Sequence, residues 1–475
     1  MVCRRSLTDV LTDQGAKKCG RQAAPRIPGG ESDSQYIPVQ QHPSPKTRIF
    51  ALIAVSWLCL CSEYERANAQ TTTASPALSS TCLRSGYSET EPSCPDAPRK
   101  VQGLSRVYGG IEYLHWWVKD APFSAPLVST GPASNDEGFL VNSGTTILYG
   151  AAFAPATGGK DHQSFPGFSG GRLTLGYMLD ETNNVNIETR FFGLASQRSS
   201  FATGGNSTAL GSPGIRIPVF NTVPYTPGSA TDLTLSENGL PVSIPGIIAG
   251  KVLITNSVSL WGLDAVSVLN IYRSAMWELN ALAGFQYLDL SENFNLTDSI
   301  VGISSPFLGQ SGSVSDHFRT RNQFYGAALG LRARGSWGRF AIDVTGRVGL
   351  GASHEVLNVS GAFQAVNFTA SSGSQGIFAQ PSNSGRRSSN NFAVVPEFEV
   401  KLGYELTQSV RLTLGYNFLY YSSVVRPGNQ ISHNIPKGQI FEQGGASVSS
   451  TSPAALFNKT DFFAQGLSVG LAVRF

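Results

Sequence analysis

The sequence has little charge and no long apolar run. Asp, Glu, Lys and Arg make up 14% of the 475 residues, and the formal net charge is only +3. So small a balance gives no indication of nucleic acid or another polyanion as a partner. No segment reaches the roughly 18 consecutive apolar residues that a membrane-spanning helix needs. The composition therefore excludes a helical membrane protein and argues against nucleic-acid binding.

Cysteine is scarce as well, and four of the six cysteines fall in the first 69 residues. Within that part, Lys46 and Arg48 precede an apolar run over 49–61, and a small-residue cleavage site ends at Ala69. A basic segment, an apolar segment and an A-x-A site in this order predict a signal peptide over 46–69. A buried core helix explains the apolar run but not the order of the three parts.

The segments on either side of that signal carry separate expectations. Residues 1–45 are polar and rich in proline, which fits a start codon assigned too far upstream. After the leader (1–69), residues 70–105 are rich in Thr, Ser and Pro and are predicted to be a periplasmic linker. Cys82 and Cys94 remain there after cleavage, so a disulfide between them is expected. Two free thiols or a metal pair are the alternatives.

The C-terminal segment alternates strictly between two kinds of residue, as the two faces of a strand do. One face is apolar: Leu467, Val469, Leu471, Val473 and Phe475. The other face is small or polar: Gly466, Ser468, Gly470, Ala472 and Arg474. The pattern is typical of a barrel strand with lipid on one side, although a soluble sandwich strand shares it. Ser468, Gly470, Val473 and the terminal Phe475 resemble the signal that hands bacterial barrels to their assembly machinery, which is the partner this tail implies.

Nine further segments alternate in the same way. They cover 106–117, 171–179, 185–195, 255–271, 275–290, 319–335, 338–358, 392–406 and 409–425. Short connections alternate with long ones, and the long ones are 118–170, 196–254, 291–318, 359–391 and 426–460. An up-and-down barrel with short periplasmic turns and long extracellular loops predicts this alternation, whereas a Greek-key sandwich does not. The expected fold is all-β, a transmembrane antiparallel β-barrel of about ten strands (twelve possible) over 106–475.

Charged residues recur on the faces opposite the apolar ones. An Arg or Lys facing lipid costs about 2–4 kcal/mol near the membrane midplane, so these faces must line the lumen. The predicted lumen charges are Glu112, Arg172, Glu188, Arg190, Asp264, Glu278, Arg332, Arg334, Asp343, Arg347, Glu397, Glu399, Lys401, Glu405, Arg411 and Arg474. Mixed signs in so narrow a lumen are expected to pair. Two interpretations stay open: a salt-bridged plug that closes the barrel, and a narrow passive pore for small solutes.

Several segments resemble a known family. The matching stretches are IEYLHWWVKDAPFSAPLVSTG (111–131), GRLTLGYMLDETNN (171–184), LAGFQYLDLSENFNL (282–296), the segment 316–361 with its NQFYG, the segment 394–431 with its PEF, YNFLY and VVRPG, and the closing FFAQGLSVGLAVRF. On these stretches the chain resembles the planctomycete outer-membrane beta-barrel family, the seventh barrel family defined in that phylum. The resemblance covers nearly all of 106–475 and implies an exported outer-membrane barrel without an assigned reaction. One departure is Met178, where the family often has Trp.

Motifs for chemistry are few. Asp161-His162, Asp316-His317 and His354-Glu355 are acid–histidine neighbours of the kind a surface protease could use, but none is accompanied by a second acid pair. P-loop and HExxH motifs are absent from the sequence. The protein is therefore predicted not to be an enzyme and to need no cofactor or metal, with a surface hydrolase as a remote alternative.

The long loops are polar and low in charge, and loops on a rigid scaffold commonly carry function. They are compatible with contact to cell-surface components, receptor-like binding, or folding inward to constrict the lumen. The sequence thus predicts an outer-membrane protein with a structural or surface-interaction role, surrounded by outer-membrane lipid and without a nucleic-acid partner.

Overall fold

The structure, a computed structural model, describes residues 106–132, 138–205, 213–222, 236–368, 371–436 and 451–474. The predicted signal peptide, the linker with Cys82 and Cys94, and Phe475 lie outside the described residues. In the described part of the chain nearly all regular structure is β-strand, apart from one turn of 3₁₀ helix at Pro427–Gln430.

Ten antiparallel strands make up the main sheet. In chain order they are β1 (Val107–Val118), β2 (Phe168–Met178), β3 (Val185–Leu194), β4 (Ile248–Arg273), β5 (Trp277–Gly302), β6 (Ser311–Trp337), β7 (Phe340–Val366), β8 (Gly385–Glu405), β9 (Val410–Val425) and β10 (Lys459–Arg474). Two smaller strands join this sheet: Gln197–Gly205 continues the line of β3 along β4, and Ser372–Gly373 pairs with β7.

The main sheet closes on itself. β10 pairs with β1, which sets Leu471 opposite Ile111 and Val469 opposite Tyr113. β4 pairs with both β3 and β5, so each strand lies beside its neighbours in the chain and the topology is up-and-down. The predicted antiparallel barrel is confirmed, with ten strands in the ring rather than twelve.

An apolar band covers the outer face of the ring. Outward side chains such as Ile111, Leu331 and Phe398 are largely exposed. A continuous exposed apolar band of this kind is stable against lipid rather than water. No helix in the described ranges has the length and apolarity needed to cross a membrane.

Aromatic side chains mark both borders of this band, as in membrane barrels generally. Trp277 and Trp337 pack edge to face beside the short turns, with ring centroids 5.3 Å apart. At the other border Tyr287 contacts Trp261 and Tyr325, with centroids 4.9 and 5.0 Å apart. With a rise of about 3.3 Å per residue and a tilt of about 40°, the run from Tyr325 to Trp337 spans about 30 Å, which matches a bilayer core.

Several strands continue well beyond the upper aromatic border. The segments 291–318 and 359–391 were predicted to be loops, and this prediction is wrong. The first is strand except for 303–310, and the second is strand at both ends. We call the projecting part the extracellular wall, and its residues are 197–205, 248–260, 289–302, 311–323, 354–366 and 385–391.

The alternation in the sequence did not predict the extracellular wall, because the apolar face of the strands changes from the outside to the inside of the barrel at the membrane border. Within the lipid band the outward positions are apolar, whereas above Leu290 the inward positions Phe294 and Leu296 are apolar and fully buried. From the border up to Ser299, the outward positions of β5 in the wall are polar: Asp289, Ser291, Asn293, Asn295, Thr297 and Ser299. Above the border, water replaces lipid outside the barrel and a protein core replaces the polar lumen inside it. Apolar and polar residues still alternate along each strand, but the apolar ones now point inward.

The long connections fold into a second sheet, which we call the loop sheet. Its strands, in spatial order, are Ser236–Ser243, Gly214–Asn221, Pro126–Gly131, Thr146–Gly150 and Thr157–Gly158, with Asn434–Ile435 beside Gly214–Asn221 and a separate pair at Ala121–Pro122 and His162–Gln163. Leu127, Ile217 and Val219 of the loop sheet share one buried apolar cluster with Ile254 and Phe318 on the inner side of the wall. The loop sheet therefore fills the space that the wall encloses.

Candidate functional site in the barrel lumen

Arg172, on β2, is the centre of the first ion-pair cluster in the lumen. Its guanidinium donates to Glu112 of β1 at 3.1 Å, to Glu399 of β8, and to the amide oxygen of Asn417 at 2.8 Å. The Lys401 ammonium lies 2.7 Å from Glu112 and 3.1 Å from Glu399. Two cations and two carboxylates from three strands thus form a closed, neutral group.

A second neutral group lies beside it. Arg190 of β3 and Arg347 of β7 share the carboxylate of Asp264, at 2.7 and 3.2 Å. Both also donate to Glu397 of β8, which accepts a further hydrogen bond from the Gln286 amide. All five side chains are at least four-fifths buried, so each charge depends on its partners rather than on water.

The third group is a bidentate pair nearer the periplasmic end. The Arg332 guanidinium donates two hydrogen bonds to Glu188, at 2.7 and 2.9 Å, and the Tyr108 hydroxyl donates a third at 3.3 Å. Glu278, also predicted to face the lumen, lies 3.6 Å from Arg273 beside the short turn between β4 and β5.

The fourth group lies at the periplasmic mouth. Arg334 donates to Asp343, which lies 3.5 Å from Arg411, and Arg411 in turn donates to Glu405 at 2.6 Å. Arg474 differs from the other predicted lumen charges. Its guanidinium is exposed at the mouth and contacts the sulfur of Met178 at 3.6 Å instead of a carboxylate.

The alternation places Gly466 and Gly470 of β10 on the lumen side, and one of these two glycines makes room for the ion pairs. A Cβ added at Gly470 would lie 2.6 Å from the Cγ of Glu112, so the missing side chain accommodates the first cluster. A Cβ at Gly466 would lie 2.5 Å from the Cα of Trp116, so this glycine serves the apolar layer and not the charged one.

The residues predicted to act as an assembly signal have ordinary barrel positions where the structure describes them. Ser468 is buried in the lumen and accepts a hydrogen bond from the Asn417 amide at 3.1 Å. Gly470 also faces the lumen, whereas Val473 faces outward. Their role in assembly stays a prediction.

An apolar layer closes the lumen above the ion pairs. Its side chains come from the inward faces of nine of the ten strands and are nearly all fully buried. The largest are Trp116, Phe168, Phe192, Phe324, Tyr421 and Phe462. Ion pairs, apolar layer and loop sheet thus follow one another from the periplasmic to the extracellular side.

Sequence reasoning missed a fully buried ion pair at the base of the loop sheet. The Arg426 guanidinium donates to both carboxylate oxygens of Glu292, the shortest distance being 2.7 Å, and both side chains are at most 1% exposed. Arg426 also donates to the backbone carbonyls of Asp120 and Lys119 and lies over the ring of Phe462. Arg426 directly follows the last residue of β9, so the alternation of that strand does not include it, and its mark in the sequence is the VVRPG stretch.

Two buried carboxyl groups in the extracellular wall were missed as well. Burial is the largest cause that raises the pKa of Asp298, to about 8, and the neighbouring Asp316 raises it further. Burial raises the pKa of Asp316 to about 6, against three backbone N–H groups that favour the charged form. These belong to Ile377, Phe378 and Ala379, at 2.7–3.2 Å, so Asp316 fastens the β7–β8 connection to the wall.

These shifts predict a wall that is more stable in acid. The pKa of Asp298 is higher in the folded wall than the unfolded value of 3.8, so its contribution is full below about pH 4 and is lost as the pH rises through about 8. Asp316 acts in the same direction. The urea midpoint for protease cleavage of the β7–β8 connection is therefore expected to be higher at about pH 5 than at about pH 9. Asp298→Asn should reduce the difference, whereas Glu181→Gln in an exposed turn should not; a wild-type midpoint that rises with pH would contradict the prediction.

Two of the acid–histidine neighbours are separated by the strands that carry them. Asp316 faces the interior of the wall, while His317 faces outward and bonds to Asn295 at 2.6 Å. Glu355 is likewise buried, and His354 is on the opposite face. Consecutive residues on a strand point to opposite faces, so neither pair forms a dyad.

The third pair, Asp161-His162, lies in the connection between β1 and β2. The His162 ring is 3.4 Å from Asp120, and the Asp161 carboxylate accepts a hydrogen bond from the backbone N–H of Ala152. Both interactions are exposed, and the two neighbours have different partners.

The closed ring of ten strands, the outer apolar band between aromatic borders and the polar interior define a transmembrane β-barrel. The chain belongs to the family described as "Putative beta barrel porin-7 (BBP7)", whose profile matches residues 108–475. It is thus an outer-membrane barrel protein of the porin type. The comparison with curated protein sequences finds no match.

Three solved structures show similarity at low identity. The outer membrane protease OmpT from Escherichia coli is 8% identical over 78% of this chain and 97% of its own, with a TM-score of 0.31. The toluene transporter TodX of P. putida is 8% identical over 78% of this chain and 91% of its own, with a TM-score of 0.16. The outer membrane channel DcaP of Acinetobacter baumannii is 8% identical over 78% and 96%, with a TM-score of 0.15.

Proposed function

We propose that this barrel has a closed lumen and does structural or interaction work at the cell surface. One observation carries the proposal: the four ion-pair clusters contain seven cations and seven carboxylates, and each cluster is neutral by itself. A selective pore keeps unmatched charge of one sign exposed to water along the pathway. Matched, buried charges instead hold the strands together across the lumen.

The other layers support closure. The apolar layer is built of buried aliphatic and aromatic side chains, and the loop sheet fills the extracellular wall. Passage of a solute would require displacement of all three layers in turn. Because the wall and the loop sheet lie on the extracellular side of the lipid-facing band, contact with cell-surface components is the role we assign to that end.

A narrow pore is the second candidate, and one observation favours it. A cleft of about 260 Å³ opens at the periplasmic mouth and is lined by Tyr108, Glu188, Arg332, Arg334 and Arg411, among others. Small solutes could enter this cleft from the periplasm. Its inner end is formed by the paired charges themselves.

The remaining expectations are retained as part of the proposal. We infer a non-enzymatic role, since the acid–histidine neighbours do not converge in the structure. We also propose export through the signal peptide, a Cys82–Cys94 disulfide, delivery by the barrel assembly machinery and a planctomycete origin. Export and the disulfide follow from the residues themselves, whereas the assembly machinery and the planctomycete origin are what the two resemblances imply.

Single-channel recording tests the closed lumen. Refolded protein in planar bilayers is expected to show no steady openings, because the ion pairs, the apolar layer and the loop sheet lie in series. Heat-modifiable migration on a gel serves as the control that the barrel has folded. Steady openings whose ion selectivity shifts when Arg332 or Arg334 is replaced by Ala would establish the narrow pore instead.

A further inference from the structure

The outward face of the extracellular wall is basic. Five basic residues lie on it, which we call the basic collar: Arg198, Lys251, Arg319, Arg321 and Arg386. Among the described residues of this face there is one acid, Asp289. All five basic side chains belong to the exposed class. The described residues of the wall therefore carry an excess of positive charge on their outward face, whereas each lumen cluster is neutral. An outward surface of one sign indicates an anionic partner.

Three arginines of the collar lie in a single row across the strands. The register sets Arg198 beside Ser257, Asn293 beside Arg319, and Arg319 beside Asn358, which in turn is opposite Arg386. Arg319 and Arg386 therefore lie two strand spacings apart, about 10 Å between Cα atoms. At that separation two extended guanidinium groups can converge on one anion above the amide of Asn358.

The charges of Arg319 and Arg386 are also available. Arg321 is matched, because its guanidinium donates to Asp289 at 2.6 Å. Within the described ranges, Arg319 and Arg386 have neither an ion pair nor a side-chain hydrogen bond. Two unmatched guanidinium groups side by side repel one another, so a bound anion stabilises the pair.

The height of the row above the membrane identifies the source of the anion. Arg319 lies six residues above Tyr325 along β6, which places its Cα about 15 Å above the aromatic border. Arg321 lies four residues above Tyr325, at a height of about 10 Å. The headgroup layer extends about 5–8 Å beyond the hydrocarbon core. Arginine side chains directed toward the membrane can bring their guanidinium groups from this height down to the upper edge of that layer, where the sugars of a glycolipid begin. An anion held there by a membrane protein comes most directly from the surrounding leaflet.

We propose that the basic collar binds the phosphate groups of a phosphorylated glycolipid in the outer leaflet. Arg319 and Arg386 hold one phosphate between them, since planar guanidinium groups match phosphate oxygens in bidentate geometry. Asn358 donates to the same group from below. This contact fixes the depth and the rotation of the barrel in its membrane, and it does not depend on whether the lumen conducts.

The proposal is tested by lipid binding to full-length refolded protein in neutral detergent. The probes are a bisphosphorylated glycolipid of the lipid A type and its dephosphorylated form. The test variant is Arg319→Gln with Arg386→Gln, and the matched control is Arg106→Gln with Arg339→Gln, which removes the same charge from the periplasmic end of the barrel. A third variant, Arg319→Lys with Arg386→Lys, keeps the charge but not the bidentate geometry.

Wild type and control are expected to bind the phosphorylated lipid at least about tenfold more tightly than the Gln variant. The Lys variant should be intermediate, and the dephosphorylated lipid should not distinguish the proteins. Equal affinity of wild type and Gln variant would overturn the proposal. If inorganic phosphate displaces the lipid and binds with equal affinity, the lipid is not the source of the anion. If the Gln variant loses binding to an acidic protein while its lipid binding is intact, the collar belongs to a protein partner.

Discussion

Replacement of Arg426 with Met is expected to destabilise the extracellular half of the barrel by about 3–5 kcal/mol. The substitution leaves the Glu292 carboxylate fully buried without a cation, and it frees the carbonyls of Asp120 and Lys119 that fasten the first long connection. The loop sheet should then become sensitive to protease while the lipid-embedded strands stay folded. Limited proteolysis and urea unfolding in lipid vesicles measure both effects.

A double variant separates the charge from the packing. Arg426→Met with Glu292→Gln removes both charges, so only the unmatched carbonyls remain, at a cost of about 1–3 kcal/mol each. The double variant is therefore expected to be more stable than the single Arg426→Met. A single variant as stable as wild type would show that the pair does not hold the loop sheet in place.

Replacement of Arg347 with Met is expected to cost a similar amount, about 3–5 kcal/mol, but in the lipid-embedded part. Asp264 and Glu397 are shared by Arg347 and Arg190, so the remaining arginine must balance two buried carboxylates. The whole barrel should unfold at a lower urea concentration, without a separate transition for the wall.

Neutral replacement provides the matched comparison. Arg347→Met with Asp264→Asn restores one cation to one carboxylate and should recover much of the loss. Arg339→Met, at an exposed position in the β6–β7 turn, should change the stability by less than about 0.5 kcal/mol. If the double variant is no more stable than Arg347→Met alone, neutrality of the cluster is not what stabilises the lumen.

The membrane-embedded half of this protein could be read from the sequence in some detail. Residues of β9 and β10 such as Leu412 and Leu471 alternate with inward residues such as Arg411 and Ser468, and lipid imposes that alternation. The short and long connections then order the strands, so an up-and-down ring follows without information on contacts. The structure puts fourteen of the sixteen predicted lumen charges into the four ion-pair clusters, whereas Glu278 pairs with Arg273 beside a short turn and Arg474 contacts Met178 at the mouth.

The partners within the lumen could not be predicted. Arg172 pairs with Glu399, 227 positions away in the chain, and Arg190 pairs with Glu397 at a separation of 207. Alternation establishes that each side chain points inward, but not its height or its place around the ring. Those depend on the register between strands, which is set by cross-strand packing.

The sequence alone therefore determined the class of fold, the two faces of each lipid-embedded strand and the charged nature of the interior, because lipid imposes a strict rule on every outward position. Only the tertiary structure decided the neutral grouping of the charges, the extracellular wall and the burial of Arg426 and Asp298. Above the membrane border water and a protein core replace lipid and lumen, and the rule that made the sequence readable no longer has the same sign. The basic collar on the outer face of the wall became visible only once that change of sign was known.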